Sequence, residues 1–599
     1  MEDSRESLKK IIREVFDIEV EPEITVAPEL EDENEEFRAD YATNVAMKLT
    51  GEIARKTGEK KNPREIAEVL KTEFLKSRED KLPIRVEIAG PGFLNFMLPD
   101  EFFIQKLDGF TGNFEKNISR DEYFHKKVVT EFSDPNPFKV LHIGHLYTSI
   151  MGESISRMIE FAGGEVHRVN FGGDVGLHVA KTLYILCQIE NKTSFSIEDI
   201  ARAYVEGTRA YEEDEEAKKK IVELNKKIYE ISEQGLRDSE LAEAYWKGRE
   251  LSYKYFDEFY ARIGVRFEKY YPESTVAGRG IKEVRGHTPE VYQESDGAIV
   301  FKGEEFGLHT RVFINKEGLP TYEAKDVGLL FTKNDDYQFD ESVVITGNDI
   351  IDYMKVVLKS VEQYAPELVE KTRHITHGNV RLPGNEKMSS RKGNFIKAVD
   401  VLEAVEERTG DRTLALAAIK YALLKYKIGG NIEFDIDESV STTGNSGIYL
   451  LYSTVRANKI IKNLNNTNEQ VRSESPSPSP VSHPPAVAGA AHLILGRNLR
   501  VAPESESSLR AWILNPFEVK ICKKLVQYPE ILGEAIREKA PHIICNYLFE
   551  TAQEFSRFYE NCKVSGDEFE QERKKIVQSF SNVMTHGLYL LGIEVPEEM

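Results

Sequence analysis

From Lys127 onward the chain alternates short apolar runs, KVVTEF (127–132), EVHRVNF (165–171) and ESVVIT (341–346), with longer stretches of helical periodicity. This pattern restricts the fold more than any other feature. Strands buried on both faces read as nearly continuous apolar runs, and parallel neighbours need a long crossover, usually a helix. The expectation is an α/β core built on a parallel sheet, spanning residues 121–435.

The flanks read differently. Leu8, Ile11, Ile12, Val15 and Phe16 fall on one face of a first helix, NPREIAEVLKTEF (62–74) is a second with an Asn-Pro start, and IRVEIAGPGFLNFML (84–98) is strand-like. Residues 1–120 are therefore expected to form a small α+β domain. Between about 181 and 260 the sequence predicts long charged helices inserted in the core. Residues 436–599 are expected to be an all-α bundle, since Leu548, Ala552, Phe555, Tyr559 and Cys562 recur at intervals of three and four. A Ser/Pro-rich insertion at about 466–508, with SESPSPSPVSHPP (473–485) at its centre, has the composition of a solvated linker.

With 599 residues, several folded units are expected, each burying its own core. The four cysteines, Cys187, Cys522, Cys545 and Cys562, are too scattered for a disulfide framework or a zinc knuckle, so a reducing, cytoplasmic setting and no structural zinc are expected. The charged opening MEDSRESLKKIIREVF carries no apolar leader, and no run approaches a membrane span. A net charge of -22 runs against nucleic-acid binding, but much of the acidity sits in blocks such as ELEDENEE (29–36) and YEEDEE (211–216), which leaves room for a basic face elsewhere.

Two segments carry chemistry. Leu141-His142-Ile143-Gly144-His145 follows a strand-like run and opens a helix. Histidines three apart share one face of a first helical turn, where imidazoles and free amides can meet phosphate oxygens, and Gly144 admits a nucleotide close to the backbone. Lys387-Met388-Ser389-Ser390-Arg391-Lys392 follows the polar, Gly-containing LPGNE, as a cationic loop able to close on a triphosphate and neutralise departing pyrophosphate. Each has a plainer alternative: ordinary helix-start histidines for the first, a solvated basic loop for the second.

Together these segments resemble the two signatures of class I aminoacyl-tRNA synthetases, and their surroundings resemble the arginyl-tRNA synthetase family across nearly the whole chain. DYATNVAMKL (40–49) and AGPGFLNFML (89–98) are similar to that family's added amino-terminal tRNA-binding domain, and GLYLLGIEVPEEM to its carboxyl terminus. The resemblance implies a Rossmann-like class I core, an amino-terminal added domain and a helical anticodon-binding bundle. It implies an arginine–tRNA ligase with ATP and arginine as substrates, tRNA(Arg) as partner and Mg²⁺ accompanying ATP; no further metal site or membrane contact is expected, and a monomer is. His142, His145 and Lys387 would be catalytic; Lys139, His142, Gly144, His145, Lys387, Met388, Ser389, Ser390 and Arg391 would hold ATP. Glu131, Asp134, Asn136, Tyr322 and Asp326 would hold arginine, a carboxylate being able to accept two parallel guanidinium hydrogen bonds.

The plainer readings are strand-edge polar residues for Glu131, Asn136 and Lys139, core for Tyr322 and a helix cap for Asp326. Asn170, Gly173, Asp174 and Gly176 resemble a family loop beside the amino acid, or form a simple Gly-rich turn. Asp134 stands where the family usually has Ser, Ile350 where Gln or His is common, Ser390 where a second lysine is usual and Leu451 where Gln is. Other readings are a class I synthetase for lysine or glutamate, a small-molecule nucleotidyltransferase, or a synthetase-like RNA-binding or regulatory protein without catalysis.

Overall fold

The computed structural model describes residues 2–27, 39–77, 84–189, 194–381, 383, 396–473 and 512–599. Lys387, Met388, Ser389, Ser390 and Arg391, and most of the Ser/Pro-rich insertion, lie outside the described residues. The chain divides into two compact units, one of residues 1–114, 456–527 and 553–582, the other of residues 115–455, 528–552 and 583–599.

In the first unit a four-stranded antiparallel sheet, in the order Thr25–Val26, Tyr41–Thr43, Phe93–Met97, Arg85–Ala89, packs with the helices Glu2–Phe16, Val45–Thr57 and Pro63–Lys76. The Asn-Pro start behaves as its chemistry predicts: the Asn62 side chain accepts the Arg64 amide and Pro63 opens the helix. Leu8, Ile11 and Ile12 are buried, but Val15 is 44% exposed, so the first helix buries a narrower stripe than its periodicity suggests. Asp40, within DYATNVAMKL, accepts the Leu98 amide at 2.6 Å and pairs with Lys523. These contacts tie the sheet to a distant helical segment.

The second unit holds a five-stranded sheet, every pairing parallel, in the order Lys269–Pro272, Glu165–Gly172, Lys127–Glu131, Glu341–Gly347, Thr372–His377. Numbered by sequence this is 3-2-1-4-5, a doubly wound Rossmann order whose direction of winding reverses between Lys127–Glu131 and Glu341–Gly347. Val128, Val129, Val343 and Ile345 are fully buried, as parallel strands covered on both faces require. Between the second and third strands run the helices Leu177–Leu186, Ile197–Glu213, Glu215–Gln234 and Glu240–Ile263, gathered round a core that includes Phe138, Val179, Leu183, Ile200 and Tyr245.

Between the third and fourth strands stands a small antiparallel sheet, Gln293–Ser295, Ala298–Phe301 and Arg311–Ile314, which the sequence reading did not anticipate. Its strands are only three or four residues long, too short for alternation to register. Beside it the helices Glu273–Gly286 and Tyr322–Tyr337 cross in close contact. A Cβ placed at Gly280 would lie 1.8 Å from the Ala324 carbonyl oxygen, and one at Gly328 would lie 2.2 Å from that of Val276. Only glycine permits this approach. It carries the first turns of both helices to the carboxyl ends of the sheet.

Candidate active site

Open α/β sheets bind ligands outside the carboxyl ends of the strands where the winding reverses. A cavity of about 710 Å³ lies there, lined from the first strand by Glu131, from the fourth by Val344 to Gly347, and from the helices by His142, His145, Tyr322, Asp326 and Tyr353.

One end is built to meet anions. His142 caps the helix Ile143–Phe161; its Nδ1 accepts the Gly144 amide at 3.1 Å, and the Nδ1 of His145 accepts the His142 amide at 3.2 Å. The rings stack, with centroids 3.8 Å apart. Because each Nδ1 is an acceptor, each neutral ring carries its proton on Nε2 and has an N–H to donate. Burial, reinforced by the Lys139 ammonium, pushes the His142 imidazole down to about 4, and burial followed by His142 and Lys139 pushes His145 well below the ordinary histidine range. Both are therefore neutral donors at physiological pH, at the positive end of a helix dipole. Lys139 lines a small adjoining pocket of about 100 Å³, its ammonium 4.9 Å from the centre of the Tyr204 ring.

The cationic segment joins this end through its stems. The Ile143 amide donates to the Ile396 carbonyl at 3.0 Å, the Ala398 amide to that of Leu141 at 2.9 Å, and His142 bridges Lys397. On the other side of the segment, Val380 lines the cavity. The chain thus leaves from the wall of the cavity at Val380 and returns beside the histidine pair at Ile396.

The other end is built to meet a cation. Glu131 is buried and paired with Lys333, which also donates to Ser342 at 3.1 Å. Glu273 is buried and paired with Lys325 at 2.5 Å. Asp134 accepts the Phe171 amide at 2.8 Å and has no cation on it among the described residues; burial, and then the Glu131 charge, raise its carboxyl well above the ordinary range. Asp326 accepts a hydrogen bond from the Tyr353 hydroxyl, and burial pushes its carboxyl up to about 8 although that bond pulls the other way. Asn136 accepts the Gly173 amide at 2.7 Å, which leaves the NH₂ of its amide for a ligand. Tyr322 is 54% exposed at the cavity edge, so it is not core, and Asp326 sits in the second turn of its helix, so it is not a cap.

Every described residue proposed from the sequence for the amino acid or ATP therefore lines this cavity or its side pocket. The NFGGDVG loop divides: Gly173 lines the cavity, whereas Asp174 is fully buried and accepts from Ser274 and Arg249, and Asn170 donates to the Phe132 carbonyl at 3.3 Å. Sequence reasoning missed Thr148, Tyr353 and His377, as well as the partners Lys333 and Lys325. His377 Nε2 stands 2.6 Å from the Thr148 hydroxyl across 229 residues of sequence, and no local pattern signals such a pair.

The model of the tRNA synthetases class I (R) catalytic domain matches residues 114–419, that of the arginyl tRNA synthetase N terminal domain residues 2–98 and that of the DALR anticodon binding domain residues 494–599. The chain belongs to the arginyl class I tRNA synthetases. Among relatives of this family, an arginine–tRNA ligase of Fusobacterium nucleatum is 28% identical over 96% of this chain and 95% of its own. One of Flavobacterium psychrophilum is 24% identical over 99% and 98%. The fold matches the arginyl-tRNA synthetases of Thermus thermophilus, with a TM-score of 0.73 at 22% identity over 100% of both chains, and of Plasmodium falciparum, with 0.75 at 19% over 100% and 99%. Among the described residues, no helix is long and apolar enough to cross a membrane, and no group of three or more His, Cys, Asp or Glu side chains could hold a metal ion.

Proposed function

We propose that the protein is an arginine–tRNA ligase working through the cavity at the reversal point of the sheet. The arginine carboxylate attacks the α-phosphate of ATP, giving arginyl-adenylate and pyrophosphate; the terminal ribose hydroxyl of tRNA(Arg) then attacks the adenylate carbonyl. No protein nucleophile is needed, so catalysis is positioning and charge stabilisation. The observation that carries this reading is the polarity of the one cavity. Neutral imidazole N–H donors and a helix start line the same cavity as two half-buried carboxylates, Asp134 and Asp326, with no lysine or arginine on them among the described residues.

His142 and His145 would hold the α-phosphate as negative charge grows on it, with Gly144 letting the nucleotide approach and Lys139 beside it. Asp326 would take the guanidinium, Tyr322 would flank it, and Glu131, Asp134 and Asn136 would hold the α-amino end. Lys387, Met388, Ser389, Ser390 and Arg391 would close on the triphosphate, a role that rests on the family resemblance and on the stems of that segment. Mg²⁺ would enter with ATP. The amino-terminal domain would hold the outer corner of the tRNA and the carboxyl-terminal helices its anticodon. The protein is proposed to act as a cytoplasmic monomer.

The test is aminoacylation of total tRNA with labelled arginine, comparing the parent with His145→Ala and Asp326→Ala. His145→Ala should slow adenylate formation by roughly 10²–10³-fold, the usual effect of removing one donor from a developing oxyanion. Asp326→Ala should mainly raise the KM for arginine. Charging with lysine or glutamate instead of arginine, or no charging by the parent, would overturn the assignment.

A further inference from the structure

We infer that Tyr353 is a positioning residue for arginine specificity, holding the Asp326 carboxylate in the one plane that a guanidinium can use. The inference rests on the reading that Asp326 meets the guanidinium, and it adds a residue that neither the sequence motifs nor that reading contains.

Tyr353 is the third residue of the helix Ile351–Glu362, which packs against the helix that carries Asp326, and both residues line the cavity. Two contacts immobilise it. Its hydroxyl donates to Oδ2 of Asp326, and the Arg311 guanidinium carbon lies 5.3 Å from the centre of its ring. Arg311 is itself held to Glu323 at 3.2 Å. The phenol is thus fixed at both ends, and through it the carboxylate.

Each carboxylate oxygen can accept two hydrogen bonds, so Oδ2 can serve the phenol and a guanidinium N–H together while Oδ1 remains wholly available. A guanidinium is a rigid planar fork, whereas an ammonium is a point charge that binds a carboxylate in any orientation. A fixed plane therefore favours arginine over other cations. The phenol also decides when Asp326 is ionised. The acids facing it are Glu131 and Asp134 from the end of the first strand and its loop, Glu273 from the neighbouring helix and Glu323 from its own, with Arg311, Lys325 and Lys333 as the nearby cations. Against this acidic surround, the Tyr353 hydrogen bond favours the charged form.

The test is Tyr353→Phe, which removes one oxygen and keeps the ring on Arg311. At pH 7 the KM for arginine should rise about tenfold or more, the usual effect of losing a hydrogen bond to a charged group, while kcat and the KM for ATP stay within about twofold. The pH midpoint for arginine use should move upward, which a loss of packing alone would not produce. Asp326→Asn, measured alongside, separates the two levels. If Asp326→Asn raises the KM for arginine but Tyr353→Phe changes neither KM nor midpoint, the role of Tyr353 is wrong and the site stands. If Asp326→Asn leaves the arginine dependence untouched, the site reading fails and takes this inference with it. A Tyr353→Phe enzyme whose KM values for ATP and arginine rise together would mark a structural role and overturn the inference.

Discussion

Arginine affinity should depend steeply on pH, and the structure sets the direction. Asp326 has its carboxyl raised from the ordinary 3.8 to about 8, burial being the main cause, so in the empty site at pH 7 it holds a proton. A guanidinium needs the carboxylate, so binding must expel that proton. With a midpoint near 8, the ionised fraction is roughly 3% at pH 6.5 and roughly 76% at pH 8.5, which makes the expected gain in affinity about 25-fold. The histidines cannot supply this dependence, because His142 titrates at about 4 and His145 lies well below the ordinary range. Calorimetric titration of arginine into the protein at pH 7, in two buffers of different ionisation enthalpy, should report about one proton released from Asp326 per arginine bound, with any released by the raised Asp134 carboxyl adding to it. Stability gives an independent check. A carboxyl whose folded value is raised stabilises the fold below its unfolded value and loses that contribution as pH rises through the folded value. Without arginine the melting temperature should therefore fall between about pH 4 and 8, and added arginine should restore most of it near pH 8. An affinity that stays flat from pH 6.5 to 8.5, with no proton released, would refute the reasoning.

Lys333→Met should destabilise the second unit by about 3–5 kcal/mol, because it strands the buried Glu131 carboxylate. Adding Glu131→Gln should recover much of that in denaturant titrations; a double variant no more stable than the single would show that the charge is not the cause. Gly280→Ala would press a methyl against the Ala324 carbonyl, where 1.8 Å is available. The helix pair should separate at a cost of about 1–3 kcal/mol, the melting temperature should drop, and the KM for arginine should rise because Ala324 lies between Tyr322 and Asp326. At saturating arginine, the rate of adenylate formation should show no limb attributable to His142 or His145 between pH 6 and 9, since both rings are already neutral; an acid limb near the ordinary histidine value would disprove their depressed titration.

What could be read from sequence is what depends on near neighbours. The runs at 127–132, 165–171 and 341–346 are strands, and the Asn62-Pro63 start caps its helix through its own amides. The two histidines cap theirs in the same way, because spacing along one chain suffices to place them. The short antiparallel strands between 293 and 314 escaped, being too brief for any periodicity, and Val15 turned outward because how much of a helix face is buried depends on what packs against it.

The chemistry of the site depended on the tertiary structure. The sheet order sets Glu131 beside the fourth strand and brings Lys333 to it across 202 residues, and the glycine crossing delivers Tyr322 and Asp326 to the same cavity. A carboxylate in a sequence is only a residue type. Whether it is paired with a lysine like Glu131, or desolvated and holding a proton like Asp326, follows from desolvation and from charges brought near by the fold, and these exist only once distant segments have packed.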